Sequence, residues 1–269
     1  MQTVVAVSAH LELINTLTEL YTLFDALGAT RGLGLCTPPY KAGEINKDAA
    51  STAGYDAEVI ELMTMLPYLD VADHYLELEI QPSTYPISYV GEQLDVGYFE
   101  SQRELYNDDL TAPCALRLTF GEGSYGTEFI YDTNTKHLIP WHPMANAEDQ
   151  DGYFYLSGGP PREVLEPLIS KCQQLLYFGT PEGLDFRYEF YHDSGGQPPV
   201  DWDAKSQRQW LASYNVWAAA RKIRDMYLDC GWNISTSDQP GFRRDELLDR
   251  RTAYWAEIVQ PLLDIEERT

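Results

Sequence analysis

Residues 114–141, CALRLTFGEGSYGTEFIYDTNTKHLIPW, followed by GYFYLS at 152–157 and PPREVLEPLISKCQQLLYF at 160–178, carry the pattern that decides the fold. Leu116, Leu118 and Phe120 alternate with Arg117 and Thr119, the period-two mark of a strand with two unlike faces. Residues 121–126 read as a turn, and 127–131 return as a second strand. Asp132-Thr133-Asn134-Thr135 forms the next turn, because Asp and Asn side chains bond their own backbone there. Residues 137–141 make a third strand, and 152–156 predict another. Pro161 suits a first helical position. Val164, Leu165, Leu168, Ile169, Cys172, Leu175 and Leu176 then give a helical stripe, with Gly179 as its expected stop.

Working outward, Leu13, Leu17, Leu20, Phe24 and Leu27 recur at spacings of one helical face, and Gly28 fits the left-handed stop after it. Residues 28–54 are rich in Gly, Ala and Thr around a Pro pair and read as a loop or linker. Asp56 suits the cap of a short helix through Val59, Ile60, Met63 and Leu66, which Pro67 ends. Leu76, Leu78 and Ile80 alternate with Glu77 and Glu79 as a strand would. Residues 81–112 show no clear period. Phe186, Tyr188 and Phe190 suggest one more strand, and 193–203 a connector. Two long helices follow. One carries Trp210, Tyr214, Trp217, Ile223 and Tyr227 to a stop at Gly231. The other carries Leu248, Trp255, Ile258, Leu262 and Ile265, with Pro261 expected to kink it or weaken its end. The fold class is α+β: a small mixed or antiparallel sheet with flanking helices and a helical C-terminal extension. The expected organisation is an N-terminal helix (1–27), a loop (28–54), an α+β core (55–192) and a helical extension packed on it (193–269).

The chain has 269 residues and a net charge of −23. The acidity is uneven. Residues 1–156 hold 6 Lys and Arg against 24 Asp and Glu, a net of −18, while residues 157–269 net only −5. Such a field repels nucleic acid and anionic membranes, and it favours either a basic partner or simple solubility. Cys36, Cys114, Cys172 and Cys230 form no C-x-x-C, and the start MQTVVAVSAHLEL lacks the basic region of a signal peptide. A cytoplasmic or nuclear setting with free thiols, rather than a secreted one, is expected.

Gly121, Gly123 and Gly126 spell G-x-G-x-x-G. A dinucleotide site needs those glycines between a strand and a helix, and TEFIY after them is strand-like. A kinase loop does lie in a hairpin, but no V-A-I-K, H-R-D or D-F-G follows. The motif is therefore a hairpin turn, and no nucleotide or other cofactor is expected. NAEDQDG at 146–152 lacks the first and last ligands of a calcium loop. His192-Asp193-Ser194 names triad members, but triads join distant chain positions. Cys114 and Cys172 have no neighbour that would lower their pKa. Glu128, Asp132, His137 and His142 remain, on adjacent strands of one hairpin, where carboxylate and imidazole could do acid–base work or meet a metal. Their spacing sets the two His on opposite strand faces, and metal is not expected.

The hairpin GTEFIYDTNTKHLIPW, the strand YFYL and the helix bearing Val164, Leu165 and Leu168 together resemble the last half of the SMI1/KNR4-like domain. EVIELMTMLP, with Glu58, Glu61, Leu66 and Pro67, is similar to that family's acidic helix and Leu-Pro step. The resemblance covers about residues 56–178. The chain lacks the family's aromatic at the start of the closing helix, and it adds an N-terminal helix and the C-terminal stretch. In overall style it also looks like acidic cytosolic proteins of filamentous fungi. The SMI1/KNR4 resemblance implies an α+β protein-binding module without catalytic residues. The rival expectation is an enzyme using Glu128, Asp132, His137 and His142.

Overall fold

The computed structural model describes residues 9–30, 34–70, 78–91, 94–105, 110–122, 126–142, 158–185, 203–236 and 238–266. The chain divides into two compact units. The first holds Met1–Asp25 and Gly32–Ile169; the second holds Ala26–Arg31 and Ser170–Thr269. The fold is α+β with small antiparallel sheets.

In the first unit, α1 (Leu11–Ala26) buries Leu13, Leu17, Leu20 and Phe24, the stripe seen in the sequence. Each such side chain contributes roughly 1.5–3 kcal/mol on leaving water. β1 (Leu35–Cys36) pairs with β2 (Tyr68–Leu69). Between them lie α2 (Lys47–Thr52), whose Asn46 side chain accepts from the Ala49 N–H, and α3 (Ala57–Met63). The expected loop at 28–54 thus contains a strand and a helix. Their shortness hid them, since α2 is a single capped turn and a half with no period to read. Asp56 stands at the start of α3 but makes no side-chain cap bond. Leu78 and Ile80 are buried as their alternation implies, although no strand forms at 78–80. The ambiguous stretch holds β3 (Thr84–Pro86) and α4 (Val96–Ser101), the latter capped by Asp95.

The meander appears as read. β4 (Ala115–Arg117) pairs with β6 (Glu128–Asp132), and β6 with β7 (His137–Trp141). Past Leu118 the first strand continues as β5 (Thr119–Gly121), which turns to pair with β3. Thr119 makes this branching possible: its hydroxyl donates to Thr127 O and accepts from the Phe129 N–H. At the far side of the glycine-rich turn a Cβ on Gly126 would stand 2.0 Å from Ser83 O and 2.4 Å from Gly121 Cα. That glycine serves close backbone packing. Gly123, and the expected strands at 152–156 and 186–190, lie outside the described residues.

α5 (Pro161–Gln173) follows the predicted stripe, but it ends earlier than expected. Leu175 takes the left-handed conformation, with φ +55°, and Gly179 instead sits in β8 (Phe178–Thr180), paired with β9 (Gly183–Asp185). The second unit continues with α6 (Ala204–Ala220), α7 (Lys222–Asp229) and a last helix, α8 (Arg244–Tyr254), running into α9 (Gln260–Glu266). Residues Trp255–Val259 between them form a π turn, in which the Gln260 N–H reaches Trp255 O. Pro261 explains it. Proline has no N–H, and its ring presses on the carbonyl four residues back, here Glu257. Widening the turn by one residue lets the helix continue where the sequence predicted a kink or a weak end.

A buried cation organises this unit. Arg251 Nη1 donates to Leu27 O (3.0 Å) and Nη2 to Gly28 O (3.1 Å), the carbonyls just past the end of α1. Tyr227 OH donates to Leu27 O as well, and lies 3.0 Å from Gly179 O. Among the described residues no carboxylate pairs with Arg251. The partial negative charge of a helix C-terminus takes that place.

Candidate functional site

The register of β6 and β7 fixes where the four hairpin candidates lie. Asp132 faces His137 at one end of the ladder, and Glu128 faces Trp141 at the other, next to His142. Four residues of strand separate the ends by about 14 Å. The structure therefore brings Asp132 near His137 and sets Glu128 apart from both.

Each carboxylate already has structural work. Asp132 Oδ1 accepts from the N–H groups of Asn134 (2.7 Å) and Thr135 (3.3 Å), which shapes the β6–β7 turn. Glu128 is buried, and its Oε1 accepts from Arg117 Nη2 at 2.5 Å. Arg117 also donates to Glu104 O at 2.7 Å, and its guanidinium lies over the Phe120 ring. Burial pushes the Glu128 carboxyl up to about 7, against the pull of Arg117 and a backbone bond from Gly121. Glu128 Oε2 and Arg117 Nε find no partner. His137 is exposed, and His142 is half-buried.

The titratable residues that do converge are others. His10, just ahead of α1, has its Nδ1 3.0 Å from Tyr131 OH and its Nε2 3.2 Å from Glu58 Oε1. Lys136 Nζ meets the same Glu58 oxygen at 2.7 Å and also donates to Thr133 O. His10 and Tyr131 are each 1% exposed, which leaves no room for a substrate beside the imidazole. Burial, then Lys136, lowers the His10 pKa, and Glu58 works against them. Sequence reasoning missed this cluster because 121 residues separate His10 from Tyr131, and no motif links them.

A surface groove of about 710 Å³ runs along Pro39–Asp48 and Thr64. Several of its polar side chains are engaged within the fold, while Asp48 is exposed. Tyr40 OH donates to Leu66 O, Asn46 caps α2 and bonds Leu94 O, and Lys47 pairs with Glu61. Cys36 and Cys114 are raised by burial first and neighbouring carboxylates second, so neither has an activated thiol. Among the described residues no group of three or more His, Cys, Asp or Glu is placed to hold a metal, and no helix is long and apolar enough to cross a membrane. In the second unit, Trp210 stacks on Tyr214 at 5.2 Å, Tyr214 lies 5.3 Å from Trp217, and the Arg221 guanidinium lies over the Trp217 ring.

Comparison of the chain with family models, with curated proteins and with solved structures finds no match.

Proposed function

We propose that this chain is a non-catalytic protein–protein interaction module of the cytosol, built on the SMI1/KNR4-like plan that residues 56–178 resemble, and that its first unit engages a basic protein. The observation that carries this reading is the use of the hairpin acids. Glu128 neutralises a buried arginine and Asp132 builds a turn, so the groups best suited to acid–base chemistry hold the scaffold instead. The acids left at the surface of the same unit include Asp48, Asp56, Asp70, Asp95 and Glu100. With a net charge of −18 over residues 1–156, they favour basic proteins and disfavour nucleic acid.

Exposed charges act over about 8 Å at physiological ionic strength, so the interaction should weaken as salt rises. The test is affinity capture with the full chain at 50 and 500 mM NaCl. Basic proteins retained at low salt and released at high salt support the reading. Captured proteins with no basic bias, or retention that ignores salt, would overturn it.

A further inference from the structure

His10 joins three elements that are distant in sequence: the start of α1, the first turn of α3 through Glu58, and the β6–β7 hairpin through Tyr131 and Lys136. The tautomer follows from its neighbours. With Glu58 Oε1 3.2 Å from Nε2, the negative charge of the carboxylate favours the tautomer that carries its proton on that nitrogen. Nδ1 is then the acceptor for the Tyr131 hydroxyl, and no other partner takes that hydroxyl among the described residues.

We propose that His10 is a proton-operated latch, holding the start of α1 against the β6–β7 hairpin at neutral pH and loosening it in acid. The mechanism is a change of hydrogen-bond role. A proton on Nδ1 turns an acceptor into a donor, so the buried Tyr131 O–H loses the group it donates to. The new charge also meets Lys136, which already shares the Glu58 oxygen nearest the ring. The charged groups around the latch are Glu58 of α3, Lys136 and Asp132 of the hairpin, and Glu12 of α1 itself, the two last lying within electrostatic range of the Tyr131 hydroxyl. Burial and Lys136 outweigh Glu58, which sets the direction. With the folded-state pKa below 6.5, the stabilisation is complete above pH 6.5 and is lost as pH falls through 6.5 toward the folded value.

The face of α1 that the latch holds is buried: Leu17, Leu20 and Tyr21 pack with Leu118 and Phe129 of the sheet side and Leu165 of α5 around a void of only about 10 Å³. Beyond the latch, Arg162 ties α1 to the start of α5 through Glu12 and Glu19.

Two measurements on the full chain test the proposal. In the first, the five histidines are followed by NMR between pH 4.5 and 8, with His10 identified from His10→Gln. The His10 midpoint should lie below 6.5, and Tyr131→Phe should raise it by about 0.5–1 unit, because the bond that favours the neutral ring is gone. A midpoint at or above 6.5, or one that ignores Tyr131→Phe, overturns the latch. In the second, amide exchange over residues 11–26, corrected for intrinsic rates, is compared at pH 7.5 and 5.5. Protection should drop about tenfold in the native chain and stay level in His10→Gln. An equal drop in both removes His10 from the cause. If His10→Gln fails to fold, the Tyr131→Phe titration still decides.

Discussion

The two units bury an arginine in opposite ways. Arg117 in the first unit faces the carboxylate of Glu128, whereas Arg251 in the second is held by the carbonyls that end α1. A carboxylate must be stripped of water together with its partner, and it can take a proton. Carbonyl groups at a helix end are already polarised and do not titrate. The first arrangement makes stability depend on pH, and the second does not. Arg103 shows that the second device is not confined to its unit: it donates to Ala53 O (2.7 Å) and Thr111 O (2.6 Å) beside Gly54, whose φ is +90°. In both cases a left-handed glycine turns the chain after a helix, and a guanidinium takes up a carbonyl beside the turn.

The sharpest break in this comparison is Arg117→Met. It leaves Glu128 buried without its cation and should cost about 4 kcal/mol at pH 8, but distinctly less at pH 5, where the carboxyl can hold a proton. Chemical denaturation at the two pH values reads the difference. Arg251→Met should cost about 3 kcal/mol, with the same value at both pH settings, since only carbonyls lose their donor. A strong pH dependence for the Arg251 variant would break the contrast. Gly179→Ala crowds the same carbonyl: its Cβ would stand 2.2 Å from Leu27 O and 3.0 Å from Arg251 Nη1, and a loss of about 2–3 kcal/mol is expected in thermal melts.

Glu128→Gln sharpens the comparison through its sign. The Glu128 pKa is raised to about 7 from 4.5, so its folded form resists ionisation. The contribution of Glu128 to native stability is therefore greatest below pH 4.5 and declines as pH rises toward 7, by an amount on the order of 2–3 kcal/mol. Gln should flatten that decline in a series of melts from pH 4.5 to 8, and an unchanged slope would show that the carboxyl is ionised throughout. The smallest effect belongs to Arg250→Ala, which removes a part-exposed pair with Asp229 and should shift stability by less than about 1 kcal/mol.

The sequence was most legible where residues repeat with a period. The apolar face of α1, the β4–β6–β7 meander and the stripe of α5 all follow from spacing. It was least legible where one bond decides the outcome. Asn46 makes a helix of six residues inside an apparent linker, and Leu175 ends α5 in a conformation usually left to glycine. The unit boundary at Ile169–Ser170 falls inside α5, where no change of composition marks it. The surroundings of the candidate residues were hard to read for a related reason. Hairpin spacing told which acids share a strand pair, but not that Glu128 answers Arg117, nor that His10 would meet Tyr131. Those pairings come from tertiary packing, which local pattern does not encode.

The bond between Arg251 and Gly28 also has a temporal side. The two residues are 223 positions apart, so a ribosome adding about 5–20 residues per second makes the arginine roughly 10–45 s after the carbonyl it will hold. Until Tyr227 and then Arg251 are made, the carbonyls of Leu27 and Gly28 lack the side-chain donors that hold them in the folded chain. The second unit thus takes one of its pieces from a segment made well before the rest of it. Codon choices or chaperones that slow synthesis between those points would lengthen the time the segment spends unclaimed.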